Sequence, residues 1–121
     1  MINNLPIEQI IDTVTAKIYE REPGLLERYG EKGKLKCKED NLHHFNHLKT
    51  AYELNDKAVF TDYALWLNGI LTKHGMSTQH LIDNFAIIEE VLHNYSSNNP
   101  ALVCFYVTAL QAGNELLAGQ H

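Results

Sequence analysis

The chain is 121 residues long, 45% hydrophobic and 21% charged, which is one domain's worth of sequence and enough to bury a core without staples. Its 15 acidic residues against 10 basic ones give a formal net charge of -5, which argues against a nucleic-acid footprint of clustered Lys and Arg. Cys37 and Cys104 form neither a C-x-x-C pair nor a secreted framework, no apolar run nears the roughly 18 to 20 residues of a membrane span, and the opening Met-Ile-Asn-Asn-Leu-Pro lacks a signal peptide's order. The expectation is a soluble cytoplasmic domain with free thiols and with no nucleic-acid or membrane partner.

Helical periodicity runs nearly throughout, with no convincing alternating strand. The first helix starts at Pro6, because a proline's missing N–H is harmless at the first helical position, and it carries Ile7, Ile10, Ile11, Val14 and Ile18. Pro23-Gly24 breaks it, and a short turn, Leu25 to Gly30, follows. A third helix is predicted over about 34–54, and Asn55-Asp56 caps a fourth with Val59, Phe60, Tyr63, Trp66, Leu67, Ile70 and Leu71. Gly75 stops that helix in the manner of a left-handed cap, and Ser77-Thr78 opens a fifth, with a stripe from Leu81 to Tyr95. Asn99-Pro100 is the clearest start signal, a capping side chain followed by proline, and opens the last helix. The expected fold is all-α, a single domain of about six helices around one core.

The third helix departs from plain core. At about 100° per residue, Leu42, Phe45, Leu48 and Tyr52 define a face whose centre passes near Asn41. Cys37, Asn41, His44 and Leu48 then form one stripe, with Asp40 and Ala51 at its edge. Taken singly, each polar member has an ordinary explanation: a cysteine as small filler, a histidine bonded to backbone, an aspartate near a helix start. Together they must either satisfy one another or face something polar, since a buried polar group without a partner costs on the order of 1–3 kcal/mol. The neighbouring run Lys32 to Lys38, flanked by Glu31 and Glu39, reads as a solvated helix start or as an anchor for the acid groups of a ligand.

Cys37-Lys38-Glu39-Asp40 resembles the chromophore-bearing C-x-R-D motif of phycobiliproteins, the bilin-carrying relatives of globins. Leu48, Ala51 and Asn55-Asp56 stand at the spacing of that family's L/V…A…GD pattern. Asp62, Asn68-Gly69 and Gly75 before Met76-Ser77-Thr78 are similar to its N-G-L…L-G-x-P stretch, and Ala16 to Leu26 to its A-x-x-L-F-x-x-x-P-x-L segment. The resemblance spans roughly residues 7 to 95. The family's amino-terminal assembly hairpin has no counterpart in this sequence, and the motif's arginine is Glu39, with Lys34, Lys36 and Lys38 as substitutes for geometry to decide between. The chain looks most like the shorter bilin-associated globins of non-photosynthetic bacteria.

The resemblance implies a globin-like fold binding a linear tetrapyrrole of the biliverdin type as carrier, store or sensor, without turnover. It implies that Asp40 accepts from the inner pyrrole N–H groups and that Cys37 forms a thioether, helped toward thiolate by Lys36 and Lys38. Asn41 shares that stripe, His44 would pack on a ring or bond its carbonyl, and Tyr52, Tyr63 and Trp66 are expected walls, although such aromatics also serve as core. Haem is the first rival, with His44 and His47 as candidate ligands and His74, His80 and His93 behind them. Glu90-x-x-His93 with Asp40-x-x-His43 is a loose di-metal echo that lacks the lone Glu residues such bundles need. A ligand-free helical signalling module is the third rival. No nucleophile–base pair or phosphate loop supports an enzyme. Globin relatives often pair through helices, which leaves a homodimer open.

Overall fold

The computed structural model describes residues 5–119, and among them every regular element is helical. In chain order these are α1 (Ile7–Arg21), α2 (Gly24–Leu54), α3 (Ala58–Lys73), α4 (Thr78–Leu92), a 3₁₀ turn (His93–Tyr95) and α5 (Pro100–Ala118). The predicted all-α class holds, but the count of about six long elements becomes five. Gly30 takes φ 66°, ψ -162°, a non-helical backbone at which two helical segments run together across a kink, so the stretch Leu25 to Gly30 is the first arm of α2. Glycine alone adopts that backbone without a Cβ penalty.

Several helix boundaries follow their sequence signals. The Ser77 side chain accepts from His80 N–H at 3.2 Å, and Asn99 Oδ1 accepts from Leu102 N–H at 3.3 Å with Pro100 at the first position. Gly75, at φ 88°, follows the end of α3. The Asn55-Asp56 pair divides its work. Asn55 ends α2 in the left-handed region at φ 51°, while Asp56 Oδ1 accepts from Ala58 N–H at 2.9 Å. The fifth predicted stripe also shortens, since the α-helix gives way to the 3₁₀ turn at His93.

Helix α4 packs between α5 and α1, while α3 contacts α5 and α2, and α1 lies along α2. Ile10, Val14, Leu48, Phe60, Phe85, Ile88, Leu92 and Leu110 are fully buried where these helices meet. The inward face of α2 is rotated from the one predicted. Asn41, His44, Phe45, Leu48 and Ala51 are buried, whereas Leu42 is 45% and Tyr52 38% exposed. The polar residues displace the apolar ones because they have partners on α3 and α4. Among the described residues one helix, α5, is long and apolar enough to cross a membrane by length and composition, which departs from the sequence reading. Its Val103, Tyr106, Ala109, Leu110, Gly113 and Leu117 are buried against the other helices.

Candidate functional site

An open cleft of about 480 Å³ lies among α1, α2, α3 and the start of α4. That is within the range of small-molecule and cofactor sites. Ile18 and Tyr19 of α1, Leu25, Tyr29 and Gly33 of α2, and Leu67, Ile70 and Leu71 of α3 supply most of its wall. Lys36, Cys37 and Asp40 open onto it from successive turns of α2. Met76, His74 and His80 come from the α3–α4 connection and the first turn of α4, and Asn84 from the turn after. A smaller recess of about 260 Å³ adjoins it, sharing Ile18, His80 and Asn84.

The predicted polar stripe is real, but its members divide between the cleft and the core. Lys36 Nζ lies 2.8 Å from Asp40 Oδ1, one helical turn apart, and this hydrogen bond raises the Lys36 pKa. Of the lysines considered in place of the motif's arginine, Lys36 is the one that lines the cleft. Lys38 instead pairs with Asp12 of α1 at 3.1 Å, and Lys34 lies over the Tyr19 ring at 5.5 Å.

Cys37 corrects an expectation. Burial raises its pKa above the ordinary thiol value, more than the polar groups of Thr15 and Asn41 lower it, and the nearby Asp40 carboxylate adds to the rise. Lys36 and Lys38 are engaged by carboxylates, so they do not draw the thiol toward thiolate. A maleimide added at neutral pH is therefore expected to modify exposed Cys104 well before half-buried Cys37, with the Cys37 rate climbing as pH rises. Peptide mass spectrometry over a pH series checks this, and equal rates at pH 7 would contradict it.

Asn41 is buried just beneath the cleft. Its Nδ2 donates to the Cys37 carbonyl at 2.9 Å and to Asn84 Oδ1 at 3.3 Å, and Asn84 Nδ2 donates back to Asn41 Oδ1 at 2.8 Å. The two amides thus close a reciprocal pair between α2 and α4.

His44 does not face the cleft. It is 1% exposed, shares a 2.7 Å hydrogen bond with the Tyr63 hydroxyl, and meets the Phe85 ring edge-on at 5.1 Å between centroids. Burial drives its pKa down to about 3, with like-charge effects from His43, His47 and His80 adding to it, so the ring is neutral. Tyr63 is likewise inside the core, its hydroxyl pKa raised by burial. His47 stacks on the Tyr63 ring at 3.7 Å. Trp66 is 63% exposed and is not a wall of the cleft, and Tyr52 packs against Phe105 and Tyr106 elsewhere. His44, the histidine expected to hold haem, does not line this cleft. The histidines that reach it are His74 and His80.

Glu90 is held by Arg21 at 2.8 Å and Lys17 at 3.4 Å, and His93 is exposed in the 3₁₀ turn. Among the described residues, no group of three or more His, Cys, Asp or Glu is gathered closely enough to hold a metal ion. The walls Tyr19, Tyr29 and Met76 were not singled out from sequence, because their convergence depends on the bend at Gly30. Asn84 did carry a signal, as a polar residue beside the apolar stripe of Leu81, Phe85 and Ile88. A scan against protein-family models, a search of curated proteins and a search of solved structures each find no match to this chain.

Proposed function

We propose that this chain is a globin-like helical domain that binds a linear tetrapyrrole of the biliverdin type in the cleft, as carrier, store or sensor rather than as a catalyst. One observation carries the reading: Lys36, Cys37 and Asp40 open together onto a largely apolar cleft of about 480 Å³. A bilin has a conjugated apolar body, ring N–H donors at its centre and two propionates. The donor set suits each part. Tyr19, Tyr29, Leu67 and Leu71 offer surface for the body, Asp40 an acceptor for ring N–H groups, and Lys36 a cation for a propionate. Binding would exchange the Lys36–Asp40 ion pair for two ligand contacts. That exchange costs little, because the pair is partly solvated, with Lys36 68% and Asp40 32% exposed.

Cys37 lines the same site, with burial raising its thiol pKa, so any thioether to the pigment forms slowly at neutral pH and faster as pH rises. Asp40→Ala is expected to shift or bleach the red absorption band of the biliverdin complex while leaving far-ultraviolet circular dichroism unchanged. An unchanged spectrum would remove Asp40 from the chromophore's hydrogen-bonding partners. His74 and His80 favour haem as the second reading, since either imidazole lies where an axial ligand could reach the cleft.

A further inference from the structure

The first arm of α2 is anchored differently from the rest of the helix. It runs from Gly24 to Tyr29, between Pro23 and the bend at Gly30, where φ is 66°. Leu26 is 41% and Tyr29 44% exposed, Glu27 and Arg28 are exposed, and Leu25 alone is half-buried, so little apolar burial holds the arm down. Its tip nevertheless reaches across the chain, with the Tyr29 hydroxyl 3.7 Å from Met76 Sδ, a weak acceptor on the α3–α4 connection. Tyr29 and Met76 both line the cleft, so this contact joins two of its edges.

Gly33 supplies an independent observation. A Cβ placed there would sit 2.5 Å from Tyr29 Cβ and 3.2 Å from the Tyr19 hydroxyl. The first distance is too short for any real contact and involves the root of the tyrosine side chain, so no rotamer change relieves it. The arm lies where it does because residue 33 has no side chain. Bends of this kind, at a glycine in an unusual backbone region flanking a lightly buried segment, are where chains absorb the rotation of opening.

We propose that the Gly24–Tyr29 arm is a hinged flap over the cleft, latched by Tyr29 against Met76 and seated by the missing side chain of Gly33, and that its opening governs access to the cleft interior. The flap concerns the same cleft as the tetrapyrrole reading, but its first test needs no ligand. Cys37 lines the cleft, and exposed Cys104 on α5 serves as reference within the same molecule.

The experiment measures the ratio of Cys37 to Cys104 labelling rates by a maleimide in the full chain at one fixed pH. It compares the unaltered protein with Tyr29→Ala, Gly33→Ala and Met76→Leu. If the open form is ordinarily a minor state, Tyr29→Ala and Gly33→Ala raise the ratio roughly tenfold, and Met76→Leu raises it less. Should Gly33→Ala fail to fold, Tyr29→Ala decides alone, and an unchanged ratio in that variant overturns the flap. Stopped-flow mixing with biliverdin forms the second arm, where Tyr29→Ala should speed uptake and release together. If the unaltered protein gives no biliverdin band but the labelling ratio rises, the flap holds and the tetrapyrrole reading falls. A band with an unmoved ratio has the opposite meaning.

Discussion

Between pH 6.5 and about 3 the fold is expected to lose stability steadily, because His44 is buried and neutral. The sign follows from the direction of the shift. In the unfolded chain the imidazole takes up a proton near pH 6.5, whereas in the folded protein burial delays this to about pH 3. Throughout that window the unfolded state binds more protons, so stability is full above 6.5 and falls as the pH drops. A shift of that size corresponds to roughly 5 kcal/mol at its full extent, by about 1.4 kcal/mol per pKa unit. A domain of this size holds only about 5–15 kcal/mol in total, so acid unfolding should precede protonation of the folded ring.

Replacing His44 alone would leave the Tyr63 hydroxyl unpartnered, which itself costs on the order of 1–3 kcal/mol. The informative variant is therefore His44→Phe with Tyr63→Phe, which removes both polar groups and keeps two rings beside Phe85 and Phe60. Urea midpoints at pH 7, 5.5 and 4 should fall more steeply for the unaltered protein than for the double variant. Parallel slopes would show that His44 titrates normally in the folded state.

Asn41→Leu is expected to destabilise the fold by roughly 1–3 kcal/mol, because it strands the Asn84 amide against an apolar neighbour. Asn84 is 6% exposed, and its two hydrogen bonds, at 2.8 and 3.3 Å, are both made to Asn41. Asn84→Leu should behave alike. The double variant should recover much of the loss, since removing both partners leaves no orphaned amide, and the non-additivity measures the pair directly. Additive losses would mean that each amide finds a separate partner when the other is removed. Because Asn84 also lines the cleft, the pair ties the floor of the site to the same α2 turn that carries Cys37 and Asp40.

Much of the helical frame was legible because its signals are local. Ser77 and Asn99-Pro100 act as caps whatever the rest of the chain does, and Gly75 follows α3 through its own backbone freedom. The polar stripe on α2 was legible too, since spacing alone places Cys37, Asn41, His44 and Leu48 on one face. Which of those residues meets a ligand was not. That depends on what α3 and α4 present, and Tyr63 and Phe85 close over His44 while Asn84 takes Asn41. The break at Gly30 was legible as the end of the Leu25 to Gly30 stretch, but its immediate continuation into the next helical segment across a kink was not, because that depends on where the arm packs. Trp66 sits on the helix of Tyr63 and Leu67 but on its outer side, one turn after Asp62, a polar neighbour that already marked that side. The state of the Cys37 thiol also reversed. Neighbouring lysines along the chain pointed to thiolate, but Asp40 and Asp12 occupy them in space.

The most direct test of the tetrapyrrole reading is the absorption spectrum of the purified chain after separate incubation with biliverdin and with haemin, followed by a denaturing gel. The expected result is a sharpened red band with biliverdin; pigment released on denaturation identifies a non-covalent complex, and pigment retained on the gel assigns a thioether to Cys37. A Soret band with haemin alone would contradict the bilin reading and move the site to His74 or His80. No band with either would contradict tetrapyrrole binding altogether and leave a helical interaction module whose cleft serves another purpose.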